Sequence, residues 1–252
     1  MKSKILTSPH QTTEECIVYH SSQGKTKELA DAYAETDQLS HRYLAYRDIP
    51  SLIKQYIKGN QALDYGTGTG ISAAFLHNLG LNVSGVDLNS FMLEKARENF
   101  PHIQFFEIEK LMPHAQFDLI FSSFVLFDMK SKKEIVDYLD KAVSFMKKNG
   151  IIIVITGSEE LYSVSRKWIS YDSDFDENRN LHSGDIAKLR LRYPSIEFRD
   201  YFWKETDYFD CFQEAKLKVL KVHKPLGSKD DPYLWKDEKS YSPFTVYILK
   251  KQ

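Results

Sequence analysis

The sequence predicts an α/β protein built on a doubly wound, mostly parallel sheet. Three observations carry this expectation. Strand-length apolar segments alternate with helix-period segments from about residue 61 to residue 155. The run Ile151–Ile155 is apolar at every position, as expected of a strand covered on both faces. A glycine-rich turn, Gly66-Thr67-Gly68-Thr69-Gly70, joins the first such strand to the first such helix.

The elements follow in order. Residues 1–25 are polar and irregular and read as a mobile leader without the apolar core of a signal peptide. From Lys27 to Ile57 apolar residues recur at three- and four-residue spacing, which predicts helix. Gln61–Asp64 is a short buried strand, and Ile71–Leu79 a helix stopped by Gly80. Asn82–Asp87 is the next strand; Asn89 or Ser90 can cap the helix that runs to Asn99. Strands follow at Ile103–Ile108 and Phe117–Ser123, then a helix capped by Ser131 and ended at Asn149-Gly150, then the strand at Ile151.

After Gly157 the rhythm breaks. Lys188 to Tyr193 alternates strictly, Pro194-Ser195 turns, and Ile196–Trp203 is strand-like again, which predicts a β-hairpin inserted in the scaffold. A helix at Thr206–Ala215 and strands at Leu217–His223 and Phe244–Lys250 complete the chain. The organisation expected is a leader and helical segment over 1–57 and a core over 58–252, with 157–204 as an inserted cover. The long loop from Pro225 to Pro243 is a second candidate for covering a substrate.

Composition narrows the class. With 34 Lys and Arg against 35 Asp and Glu in 252 residues, the net charge of −1 supplies no global field for a phosphate backbone, which disfavours nucleic acid as a partner. No apolar run approaches the roughly 20 residues of a membrane span. Two cysteines, Cys16 and Cys211, cannot build a four-cysteine zinc site or a disulfide framework, and a cytoplasmic setting is expected. No His or Cys pair has zinc spacing, so no metal site is expected.

The glycine turn carries the chemistry. Glycines between a strand end and a helix start let backbone pass close to a ligand and leave helix N–H groups free to meet it. Asp87, 17 residues beyond Gly70, closes the next strand, where a carboxylate can accept from both hydroxyls of a ribose. Together they predict a nucleoside-containing cofactor. The spacing is G-x-G-x-G, not the G-x-G-x-x-G of dinucleotide sites, and Asp64 just before it would repel a pyrophosphate and suit an ammonium.

Asp64, Gly66, Gly68 and Gly70, with Asp87, Phe117–Ser123 and the Asn149-Gly150-Ile151 turn, resemble the motifs of the class I S-adenosylmethionine-dependent methyltransferases. The resemblance covers about residues 55–156 and resumes more loosely from Thr206. It implies a Rossmann-like, doubly wound, seven-stranded sheet with the last strand antiparallel. It also implies S-adenosylmethionine as cofactor and S-adenosylhomocysteine as product. By the same resemblance, Asp64, Gly66 and Gly68 would face the methionine part and Asp87 the ribose. Leu88 and Met92 would flank the adenine, with Met92 serving equally well as helix core. Glu107, or else Glu109, would approach the adenine amine, Ile108 the ring, and Ser122 the reacting methyl.

Methyl transfer from a sulfonium needs positioning and exclusion of water, and a base only where the nucleophile starts protonated. His182 and His223 are the base candidates. Aromatic faces suit the cationic sulfonium, and Tyr19, Tyr33, Tyr43, Phe124 and Trp203 are candidates for that contact. Phe124, Tyr201, Trp203 and Trp235 are candidates to line the acceptor pocket. Arg47 is a candidate partner for the cofactor carboxylate. The stripe Lys188, Arg190, Arg192 reads as a solvated hairpin face. The expected reaction is transfer of a methyl group to an O, N or C nucleophile of a small molecule. The alternatives are a protein or RNA acceptor, or a module that binds the cofactor without chemistry.

Overall fold

The computed structural model describes residues 17–20, 26–34, 40–111 and 116–252. Its main sheet has seven strands: β2 (Gln61–Tyr65), β3 (Asn82–Asp87), β4 (Gln104–Glu107), β5 (Phe117–Ser123), β6 (Met146–Gly157), β10 (Leu217–His223) and β11 (Phe244–Lys251). Their order across the sheet is β10-β11-β6-β5-β2-β3-β4. All neighbours run parallel except β11, which is antiparallel to both β6 and β10. The predicted fold class is therefore the observed one.

The strand sequences explain why the sheet is covered on both sides. In β6, Ile151, Ile153 and Ile155 join one core, whereas Ile152 and Val154 join the other. The first core is closed by α2 (Ser40–Tyr46), α3 (Ile49–Tyr56), α4 (Ile71–Asn78) and α5 (Ser90–Asn99). The second is closed by α6 (Lys132–Ser144) and α7 (Glu205–Glu214). Two helix starts are fixed as expected: Asn89 accepts from Met92 N–H at 3.1 Å and Ser131 from Glu134 N–H at 3.2 Å. Because β3 and β5 flank β2 on opposite sides, a crevice opens at the carboxyl ends of these strands, where such sheets bind ligands.

The cover is larger than a hairpin. The predicted strands are present as β8 (Ile186–Leu191) and β9 (Ile196–Tyr201), antiparallel to each other. They belong to a second, four-stranded sheet with the order β1-β9-β8-β7, where β7 is Tyr171–Asp172 and β1 is Ile17–His20. β1 pairs parallel with β9, Ile17 opposite Ile196 and Tyr19 opposite Phe198. This corrects the reading of residues 17–20 as part of a mobile leader; the rest of that leader lies outside the described residues. Four residues are too few to show a period, and a parallel partner nearly 180 positions away leaves no local trace. The preceding helical segment forms α1 (Lys27–Ala34), α2 and α3.

The loop from Pro225 to Pro243 is not a cover. Its Asp231 accepts from Tyr43 Oη at 3.0 Å, Arg47 Nη1 at 2.9 Å and Trp235 Nε1 at 2.8 Å, which binds the loop against α2. Its buried Glu238 accepts from the Ile169 and Lys236 N–H groups.

Candidate active site

The glycine turn is held by the strand beside it. Gly66 and Thr67 N–H both donate to the Val86 carbonyl, at 2.9 and 2.8 Å. Gly66, Gly68 and Gly70 have φ of 84°, 54° and 86°, in the region that favours glycine. A Cβ on Gly66 would stand 2.6 Å from Val125 Cγ2, whereas one on Gly68 would meet nothing within 4 Å. Gly68 therefore borders open space, and Gly66 is fixed by contact.

Asp87 clamps this turn. Its Oδ2 accepts from Gly68 N–H at 2.9 Å and its Oδ1 from Asn89 N–H at 2.8 Å. A carboxylate offers about four acceptor positions, so both oxygens keep capacity for a ribose. Asp87 lines a cleft of about 340 Å³ together with Gly66, Leu88 and Ile108. Tyr19 of β1 and Asp128 border the same cleft, so the lid sheet contributes to its wall.

Asp64 sits beneath the turn with none of its surface exposed. Its Oδ2 accepts from Thr67 Oγ1 and from Ser72 Oγ at 2.6 Å, while Oδ1 has no hydrogen-bond partner among the described residues. Burial pushes its carboxyl up to about 6. A buried carboxylate oxygen left over beside an open glycine turn fits a cationic ammonium.

Several expectations need correcting. Met92 is 1% exposed and belongs to the first core, so its role is packing, while Leu88 is 80% exposed at the cleft. Glu107 is half exposed and pairs with Lys110 at 3.0 Å; of that segment, Ile108 reaches the cleft. Ser122 faces α6, sharing a 2.8 Å hydrogen bond with Tyr138 Oη. Ser123, on the opposite face of β5, meets Tyr46 Oη at 2.9 Å and borders a gap with Gly66 and Gly68. One residue of strand parity separates the two serines.

Arg47 is spent on Asp48 and Asp231 at 3.1 and 2.9 Å. Arg42, five residues earlier and 8% exposed, borders the gap at Gly66 and Gly68 instead. The sequence signal, an arginine on the helical segment before the core, was the same for both. Arg42 lies inside α2, whereas Arg47 lies just past its end.

Beyond that gap, and sharing Tyr33, Arg42 and Phe124 with it, is a small aromatic chamber of about 30 Å³. Tyr33, His41, Phe124, Tyr171, Asp200 and Phe244 line it. Phe124, predicted here, is held at φ 61° just after β5, with Phe127 and Phe244 rings 6.4 and 5.4 Å away. His41 is buried, its Nδ1 has no partner among the described residues, and burial holds its pKa well below the usual value, so the ring is neutral. Asp200, 1% exposed, accepts from Tyr162 Oη at 2.8 Å; its Oδ1 has no partner among the described residues, and burial pushes it up to about 8. Neither His41 nor Asp200 carries a motif; each becomes visible only when segments from α1 to β11 converge.

The other predicted acceptor residues lie elsewhere. Trp203 donates from Nε1 to the Met129 carbonyl at 3.0 Å and borders a separate cleft beside α7. Tyr201 packs on the second core. Trp235 is buried against Tyr43 and Gly227 in the loop after β10. Neither histidine proposed as a base is in the site. His182 has a side chain 82% exposed and lies 3.5 Å from Asp185. His223 Nε2 is 2.8 Å from Asp48 Oδ2. In the second sheet Glu197 pairs with Lys188 and Arg190, both at 3.2 Å, and with Arg199 at 3.1 Å, so the basic stripe is partly compensated.

Known proteins agree with this geometry. Residues 62–150 match the model of the family described as a methyltransferase domain. A curated relative, malonyl-[acyl-carrier protein] O-methyltransferase 2 of Ilyobacter polytropus, is 30% identical over 169 residues, and the match spans 63% of this chain and 63% of that relative's length. The structure of the CcbJ methyltransferase of Streptomyces caelestis superposes with a TM-score of 0.61 at 16% identity, covering 88% of this chain and 96% of that one. An S-adenosylmethionine-dependent methyltransferase of Clostridium acetobutylicum superposes with a TM-score of 0.58 at 18% identity, covering 89% and 96%. At such identities the structures speak for the fold. Residues 62–150, which hold the glycine turn and its two acids, thus match a methyltransferase domain, and the chain resembles the class I S-adenosylmethionine-dependent methyltransferases in fold.

Proposed function

We propose that this protein transfers the methyl group of S-adenosylmethionine to a nucleophile of a small molecule, leaving S-adenosylhomocysteine. The observation that carries this reading is the unpartnered, buried Asp64 Oδ1 beside the open turn at Gly68. The cofactor supplies an activated methyl with its leaving group built in. Asp64 would receive the ammonium, Arg42 the carboxylate, and Asp87 the ribose hydroxyls, with Leu88 and Ile108 against the adenine. In this reading the core, residues 58–252, holds the cofactor together with Arg42 of α2. The cover, residues 157–204 together with β1, closes the aromatic chamber over the acceptor and excludes water. A cationic sulfonium is favoured by the nearby faces of Tyr33 and Phe124.

The enclosed chamber supports a small acceptor; a macromolecule would need an exposed groove with a basic rim, and the lid's basic stripe is partly compensated by Glu197. The relative named for O-methylation of a malonyl carrier keeps oxygen among the candidate nucleophiles. Among the described residues no helix is long and apolar enough to cross a membrane. Calorimetric titration with S-adenosylmethionine, S-adenosylhomocysteine and NAD tests the reading. Micromolar binding of the first two and none of NAD is expected; binding of NAD alone would overturn it.

A further inference from the structure

The aromatic chamber holds a carboxylate that its walls do not account for. Asp200 projects from β9 of the lid, is 1% exposed, and spends only Oδ2, on the Tyr162 hydroxyl. Its Oδ1 has no partner among the described residues although the side chain lines the chamber. An orphaned carboxyl oxygen in an apolar enclosure is costly unless a ligand bonds to it. The groups around it do not neutralise it. Tyr162, Asp128, Tyr19, Tyr171 and Tyr208 are the titratable neighbours that interact with it from the packed elements, and none is a cation; Arg42, which also lines the chamber, is the cation that the methyltransferase reading gives to the cofactor carboxylate. His41, in the same chamber, is neutral. Above about pH 8, where Asp200 is ionised, a carboxylate acceptor would be repelled at Oδ1. An acceptor that brings an N–H or O–H would supply the missing donor.

We propose that Asp200 receives the proton of the methyl acceptor, and that the acceptor is a small amine or phenol, not a carboxylic acid. This rests on the methyltransferase reading above. The acceptor donates its N–H or O–H to Asp200 Oδ1. Its lone pair forms the bond to the methyl carbon as the carbon–sulfur bond breaks, with that electron pair staying on sulfur and cancelling the positive charge. The proton released by the nucleophile goes to Asp200 and then to solvent. Burial that raises the carboxyl to about 8 makes it a stronger base than a solvated aspartate. At about 30 Å³ the chamber as it stands has room for a water or two, so the acceptor enters as the lid sheet shifts outward.

The test compares wild type with Asp200→Asn, which keeps the shape and removes the base. Benzylamine, phenol and benzoate are titrated calorimetrically at pH 9, where Asp200 is ionised, into each protein saturated with S-adenosylhomocysteine, so that binding is read without turnover. Wild type should bind benzylamine or phenol at least tenfold more tightly than benzoate, and Asp200→Asn should lose that preference. With S-adenosylmethionine, the mass of the product separates the amine arm from the phenol arm, and Asp200→Asn should lower kcat at least 100-fold with little change in KM for the cofactor. Preference for benzoate, binding of none of the three, or an unchanged preference in the variant overturns the proposal. Unchanged S-adenosylhomocysteine affinity in Asp200→Asn shows that the variant is folded. Failure of wild type itself to bind S-adenosylhomocysteine would strike instead at the donor reading beneath the proposal.

Discussion

The two halves of the site are built differently. In the proposed reading most of the cofactor half comes from one stretch of chain, Asp64 to Ile108, joined by Arg42 of α2, and much of it is backbone: a turn of three glycines held by the Val86 carbonyl and by Asp87. The acceptor half comes from segments as far apart as Tyr33 and Phe244, and all of it is side chains. A backbone cradle tolerates few changes, because its geometry rests on positive φ values that side chains disfavour. A side-chain chamber can change its acceptor by substitution while the scaffold stays.

That contrast can be broken or sharpened by mutation. The largest effect is expected from Gly66→Val. It combines a φ of 84° with a Cβ 2.6 Å from Val125, which together cost about 2–5 kcal/mol. Affinity for S-adenosylhomocysteine should fall by at least 100-fold in calorimetry. Asp87→Ala should weaken the same binding by about 1–3 kcal/mol, through lost charged hydrogen bonds to ligand and to Gly68. An unchanged affinity would remove Asp87 from the ribose role.

A smaller effect separates the buried acids from the surface. Asp64 and Asp200 have carboxyls raised to about 6 and about 8, against roughly 3.9 in an unfolded chain. Between pH 4 and those values the folded protein holds more protons than the unfolded one, so stability falls as pH rises. The melting temperature of the ligand-free protein should drop by several degrees from pH 5 to pH 8, and Asp64→Asn and Asp200→Asn should each flatten part of that slope. The smallest effect is expected from His182→Ala. Its side chain is 82% exposed and remote from the chamber, and turnover should change less than twofold. A large loss there would mean that the lid brings His182 inward during the reaction.

The sequence by itself determined the sheet and the cofactor half. Apolar alternation in strands and helices fixes which faces are buried, and the glycine turn with Asp64 and Asp87 is a local pattern whose chemistry depends on neighbours in the chain. Small differences within that half were local: Ser123, not Ser122, is on the crevice face of β5, and Arg42 inside α2, not Arg47 past its end, borders the glycine turn. The acceptor half was decided by tertiary structure. β1 finds β9 nearly 180 residues away, and that pairing, with Phe124 beside Phe244 and His41 beside Tyr171, brings Asp200 into an enclosure no stretch of sequence describes. The most conspicuous aromatics, Trp203 and Trp235, went to packing instead. Size and ring type report the tendency to be buried, but where a side chain is buried is set by contacts between distant segments, which leave no period or spacing in the sequence.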